Sequence, residues 1–202
     1  NKKLYSKTAF MKKIIYLLIS ALTVTTSFAQ LTGTKNIPGD YATLEAAITD
    51  LNAQGVGLGG VTFNVAAGYT ENITSQITIT ATGNSGNPIV FQKSGEGTNP
   101  LITRTDAGTN ATSTFSALGD GIIRLDGTDY ITFDGIDLAA SDAGIEYGYY
   151  THRPSGTDGC QFVTIKNSAI TMTKGTSAFV IGIYIGNGAK STSSASGETV
   201  TA

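Results

Sequence analysis

The chain is short of several residue types at once, and each shortage removes a class of protein. It has one cysteine, Cys160, so no intrachain disulfide framework can hold it together. Its one histidine, His152, is the only imidazole that could activate that thiol. Cys160 stands just ahead of an apolar alternation and reads as a small buried hydrophobe. Charged residues make up only 14% of the 202 positions, too few for a salt-bridged helical bundle. The apolar stretch from Ile14 to Val24 is too short to span a bilayer. Basic residues are scarce where a mature protein would need them. The net charge is −2, but five of the 13 basic residues (Lys2, Lys3, Lys7, Lys12, Lys13) precede residue 14. From Gln30 onward 8 basic residues face 15 acidic ones, a balance of −7. Binding nucleic acid by neutralising phosphates is excluded on that balance.

What the chain does contain is glycine, 25 of them, with abundant threonine, serine and asparagine among β-branched residues. That profile suits many short strands joined by tight turns. The first thirty residues stand apart. Met11-Lys12-Lys13 is a basic start, Ile14 to Val24 is apolar, and Ser27-Phe28-Ala29 offers small residues ahead of a cleavage between Ala29 and Gln30. This is the pattern of a secretory signal peptide over residues 11–29, and it places the mature protein outside the cell or on its surface. Residues 1–10 precede the natural-looking start and read as an upstream extension. No membrane span is expected after cleavage.

Residues 30–60 read as an N-terminal cap carrying a helix. Asp40 is the expected helix cap, and Leu44, Ala47, Ile48 and Leu51 fall on one face. Gly57-Leu58-Gly59-Gly60 lacks the lysine of a phosphate loop and follows a helix, so it reads as a link. From Val61 the period changes from 3.6 to 2. Strand patterns follow at Val61–Val65, Ile73–Ile79, Ile89–Phe91, Leu101–Thr103, Ile122–Leu138, Val163–Met172 and Phe179–Ile185, separated by turn dipeptides such as Asp126-Gly127 and Asp134-Gly135. Two segments superpose at an offset of 32 residues. Ile131, Phe133 and Leu138 meet Val163, Ile165 and Ile170, and Gly135 meets Asn167. Both corner residues tolerate positive φ. Units that each cover the apolar edge of the last make a solenoid. The excess over a shorter repeat is read as a loop inserted near Ala140–Gly159. The expected fold is therefore all-β, a right-handed parallel β-helix with a capping helix, its coils running over residues 61–202. The chain opens on Asn1 and runs out in a Ser/Thr/Gly tract at 191–202, so it reads as the N-terminal part of a longer protein.

The helix Tyr41-Ala42-Thr43-Leu44-Glu45-Ala46-Ala47-Ile48, followed by Val61-Thr62-Phe63-Asn64-Val65-Ala66-Ala67-Gly68-Tyr69, resembles the cap and first coil of pectate-lyase-like right-handed parallel β-helix proteins. Asn87-Pro88-Ile89-Val90-Phe91-Gln92-Lys93-Ser94-Gly95 and Asp129-Tyr130-Ile131-Thr132-Phe133-Asp134-Gly135-Ile136 resemble segments of large secreted β-helix surface proteins of Bacteroidetes. The resemblance covers roughly residues 36–186. It implies export by type IX secretion, which uses a terminal sorting domain that this sequence does not contain. Its motifs mark coils, and no catalytic residue carries over.

Two groups of residues hold potential chemistry. Asp126, Asp129, Asp134, Asp137 and Asp142 cluster in sequence. Stacked outward carboxylates can ligate Ca²⁺, with Asp126, Asp129, Asp134 and Asp137 as the ligands. Asp134, outward by strand parity, and Arg124, also outward, are the candidates for acid–base work on a polysaccharide. The same Asp-Gly pairs are also ordinary turns in which aspartate bonds its own backbone. The second group is Glu146 to Arg153, read as a projecting loop whose Tyr147, Tyr149 and Tyr150 could stack on sugar rings while Arg153 holds a carboxylate. The alternative is tyrosines packed on the scaffold wall. Two functions follow: a non-catalytic scaffold or adhesin contacting a polysaccharide or surface glycan, or a polysaccharide lyase or glycoside hydrolase working on the outer face. No cofactor beyond Ca²⁺ is expected.

Overall fold

A computed structural model describes residues 29–109, 120–175 and 180–186. The signal-peptide pattern, apart from the expected cleavage pair Ala29 and Gln30, lies outside these residues, as do Phe179 and the 191–202 tract. The described chain is predominantly β with a single helix. Its strands are β1 (Leu31–Ile37), β2 (Val56–Ala66), β3 (Thr70–Ile73), β4 (Ile77–Ile79), β5 (Ile89–Ser94), β6 (Leu101–Arg104) and β7 (Gly121–Asp126). They continue as β8 (Ile131–Asp134), β9 (Asp137–Ala140), β10 (Tyr147–His152), β11 (Val163–Lys166), β12 (Ile170–Thr171) and β13 (Ile181–Tyr184). The helix, α1, spans Leu44–Gln54.

All the pairings between these strands are parallel, and they form three sheets. The first has the order β1-β2-β5-β8-β11, the second β12-β9-β6-β3, and the third β13-β10-β7-β4. From β2 onward the chain visits the sheets in fixed rotation and adds one strand to each on every pass. In the first sheet Val61 pairs with Ile89, Ile89 with Ile131, and Ile131 with Val163. The last of these is the 32-residue offset read from the sequence, and Leu138 opposite Ile170 in the second sheet confirms it.

From β2 to β10 one face of each strand is sealed. In the first sheet Phe63, Phe91 and Phe133 are in register and fully buried, with ring centroids 4.6 and 5.2 Å apart and planes within 9°. Such offset-stacked rings add about 0.5–1.5 kcal/mol per pair beyond their area. Ile79, Ile102, Leu125 and Leu138 fill the same core from the other two sheets. The corner at Gly135 and Asn167 uses positive φ, 70° and 55°. A β-branched residue would be strained at either position.

The helix differs from expectation at its start. Thr43 is the N-cap, its Oγ1 accepting from Ala46 N at 3.0 Å. Asp40 instead accepts from Asn36 N at 2.7 Å within the preceding turn. The buried face is Leu44, Ala47, Ile48 and Leu51, as the spacing predicts. Two strand-borne contacts dock the helix. The carboxylate of Glu71 on β3 accepts from Leu44 N at 2.7 Å and Glu45 N at 3.1 Å, where the helix dipole favours a negative charge. Asn52 donates to Thr78 O at 2.8 Å and accepts from Thr80 N at 2.9 Å.

Gly57-Leu58-Gly59-Gly60 is not a link. It lies inside β2, which begins at Val56, and it bulges where β1 passes from Leu31–Val56 to Gly33–Val61 pairing. Gly60 has φ 80°, and a Cβ there would come within 2.4 Å of Pro88 O. The segment Ala140–Gly159 is not simply an inserted loop either. It contains β10, the strand that continues the third sheet. Among the described residues no helix is long and apolar enough to cross a membrane.

Candidate functional site

The third sheet gathers the chemistry. Its outward row runs Thr78, Arg124, Tyr150, Tyr184, and beside it Asp126 stands opposite His152. Arg124 Nη2 donates to Asp126 Oδ2 at 3.0 Å. His152 Nδ1 lies 2.6 Å from Asp126 Oδ1 and 2.8 Å from the same Arg124 nitrogen. Nδ1 thus meets a carboxylate oxygen and a guanidinium nitrogen at once, so Asp126, His152 and Arg124 form one polar cluster. The His152 side chain is 2% exposed, and its Nε2 has no hydrogen-bond partner. The Nε atoms of Arg124 and Arg153 are likewise buried and unpartnered. This enclosed cluster, with three nitrogens lacking a hydrogen-bond partner, is the part of the sheet whose polar groups are least satisfied by the fold.

Tyrosines flank it. The Tyr150 hydroxyl donates to Gln76 Oε1 at 3.0 Å, and Arg124 sits 5.9 Å above its ring. Burial pushes the Tyr150 hydroxyl up, and Arg124 works against the shift. Tyr147 lies 5.0 Å from Tyr150 and 5.2 Å from Tyr184 between centroids. Burial, with Tyr184 and Glu146 alongside, pushes the Tyr147 hydroxyl up to about 12.

The expected loop of Glu146 to Arg153 instead carries strand β10 from Tyr147 to His152, all six residues of which are buried. Tyr149 points inward, fully buried, with its ring 4.9 Å from Phe133 and its hydroxyl donating to Ile136 O at 3.1 Å. Tyr147 and Tyr150 are buried and Arg153 is half-buried. As the protein stands, Tyr149 cannot reach a ligand.

The acidic cluster does not converge. Asp134 lies on the first sheet, away from Arg124 on the third. Asn167 Nδ2 donates to it at 2.7 Å and Lys166 pairs with it at 3.1 Å, and these hold its carboxyl below the usual range. Asp137 accepts from Asn99 Nδ2 and from Ala169 N, both at 2.8 Å. Asp129 accepts from Gln161 N at 2.7 Å, and burial pushes its carboxyl up. Asp142 accepts from Gly144 N at 2.8 Å within its own turn. Asp134, Asp137 and Asp129 each receive a donor from the next pass of the chain, so the row works as a set of staples between successive strands. Among the described residues no three His, Cys, Asp or Glu side chains stand close enough to hold a metal ion. Cys160 is mostly buried, which pushes its thiol up, and Sγ donates to Leu125 O at 3.3 Å.

One polar group escaped the sequence reading. Arg104 occupies an inward row between Ile73 and Ala140. It forks onto Asp106 with two bonds of 2.6 Å and reaches Asp120 at 2.9 Å and Gly121 O at 2.7 Å. Strand parity with buried Ile102 was the available signal.

No known protein family, curated protein or solved structure matches the chain.

Proposed function

We propose that the chain is part of a right-handed parallel β-helix, exported to the cell surface or beyond, that acts as a non-catalytic scaffold or adhesin contacting glycans. The rotation of three parallel sheets supports the β-helix. Parallel crossovers in one sheet are right-handed in about 98% of cases, which supports the hand. The observation that carries the non-catalytic reading is the use of the acidic side chains: Asp129, Asp134 and Asp137 are each bonded to the next strand or corner rather than gathered at one face. The deciding experiment incubates the purified protein with a panel of neutral and acidic polysaccharides and follows new reducing ends and unsaturated products. No release is expected; turnover at an ordinary enzymatic rate would sink the scaffold reading.

One observation favours a second reading, a polysaccharide lyase or glycoside hydrolase working on the outer face. It is the unpartnered Nε2 of His152 beside Arg124 and Asp126. On that reading, His152→Gln and Arg124→Gln abolish turnover while the far-ultraviolet β-signature is retained.

A further inference from the structure

The sequence holds four Asp-Gly pairs: Asp120-Gly121, Asp126-Gly127, Asp134-Gly135 and Asp158-Gly159. All four share one intrinsic reaction. The glycine nitrogen attacks Cγ of the aspartic acid, and no Cβ on the glycine hinders its approach. The N–Cγ bond forms, the bond from Cγ to its hydroxyl breaks, and the hydroxyl leaves as water with the proton of the nitrogen. The product is a five-membered succinimide. Water then adds back at one of two carbonyl carbons. Addition at Cγ breaks the new bond and restores aspartate. Addition at the main-chain carbonyl carbon breaks the original peptide bond and leaves the chain running through Cγ, as isoaspartate. One water is released and one consumed, and nothing is oxidised or reduced.

What separates the four pairs is how the fold holds the two reacting groups. Gly121 N donates to Gln76 Oε1 at 3.0 Å, while Arg104 holds Asp120 Oδ2 at 2.9 Å. Gly127 N donates to His152 O at 3.1 Å, while Arg124 and His152 hold the Asp126 carboxylate. Gly135 N donates to Lys166 O at 2.9 Å, while Asn167 and Lys166 hold Asp134. All three glycines are buried. Attack at these pairs first breaks a hydrogen bond of the nitrogen and frees a bonded carboxylate. Asp158-Gly159 has neither restraint. Among the described residues nothing accepts from Gly159 N and no donor bonds the Asp158 carboxylate. Residues 154–158 are all exposed, at the tip of the loop between β10 and β11. The Asp158 side chain only leans on Gly127, where an added Cβ would come within 2.8 Å of Oδ2, and its Coulomb contact with Asp129 is repulsive. We propose that Asp158-Gly159 is a site of spontaneous isoaspartate formation in the folded protein, while the other three pairs are protected by their bonds. The product has one more carbon in its main chain and carries its carboxylate directly on Cα, so the loop packs differently against Gly127. This holds whether or not the chain contacts a glycan.

The test ages the purified full chain in neutral buffer beside the same chain unfolded in guanidinium chloride, until the unfolded sample shows isoaspartate at all four pairs. Labelling by a protein isoaspartyl methyltransferase, followed by peptide mapping, assigns each one. In the unfolded chain the four should react at similar rates, since each aspartate is followed by the same residue. In the folded chain Asp158 should keep a rate near its unfolded one. Each of the other three should lag it by at least about tenfold, because they react only in the fraction of molecules that has opened locally. Asp158→Asn replaces the leaving water with ammonia, a better leaving group, and should raise isoaspartate at this position several-fold without altering the melting temperature. Isoaspartate at Asp120, Asp126 or Asp134 that keeps pace with Asp158 in the folded chain would overturn the proposal. So would a folded chain whose Asp158 stays unmodified. An Asp158→Asn chain left intact at that position while folded would show that the loop backbone forbids ring closure, and would defeat it as well.

Discussion

Arg104 shows how a single inward position can be charged. It lies among apolar neighbours at 5% side-chain exposure, where burial opposes its charge and Asp106 and Asp120 more than offset that opposition. Arg104→Met leaves those two carboxylates without their cation and should destabilise by about 3–5 kcal/mol, read by denaturant unfolding. The partner has its own pH signature. The hydrogen bond from Arg104 lowers the Asp106 carboxyl. Its stabilisation is therefore full above the ordinary aspartate value of about 3.9 and is lost as pH falls below it. Asp106→Asn should flatten that acid limb; an unchanged limb would count against the assignment. Tyr147 acts in the opposite direction. Its hydroxyl is raised to about 12, so its contribution holds below about 10 and disappears as pH rises from there to about 12. Tyr147→Phe should make unfolding over that range less steep. Residues with strict alternation, such as Ile131 and Phe133, were legible because one face of their strand stays open to solvent. The tyrosines of β10 were not, because all six positions of that strand are buried and a strand covered on both faces shows no period of two.

At the scale of elements, two couplings hold the passes of chain together. The phenylalanine column joins β2, β5 and β8, and Phe91 sits in its middle. Phe91→Ala should cost about 3–5 kcal/mol, whereas truncating exposed Phe162 should cost under about 0.5 kcal/mol. The helix is tied by Glu71, whose carboxylate takes two N–H groups of its first turn and the Tyr69 hydroxyl at 2.9 Å. Glu71→Ala should lower stability by about 1–3 kcal/mol, seen as earlier loss of helical signal on heating. The amphipathic face of α1 was readable from its spacing. Its cap was misplaced by three residues, since Asp40 and Thr43 are both good caps and only the turn geometry chooses between them.

For the whole molecule, the helix lies at the end of the sheets where β3 and β4 present open edges. An exposed edge is a template for another chain. A protein lacking residues 29–55 should therefore aggregate at concentrations where the longer chain stays monomeric by light scattering, and a monomeric product would remove the capping role of α1. The sequence by itself determined the parallel β architecture, the helix ahead of it, the 32-residue register and the corner at Gly135 and Asn167. These depend on periodicity and on φ tolerance, and both are written locally. Only the tertiary structure decided which polar groups meet. Asp126 and His152 are 26 residues apart and Asn99 and Asn167 are 68 apart. Such neighbours follow from how many residues each pass takes, and that is set by packing against the pass below.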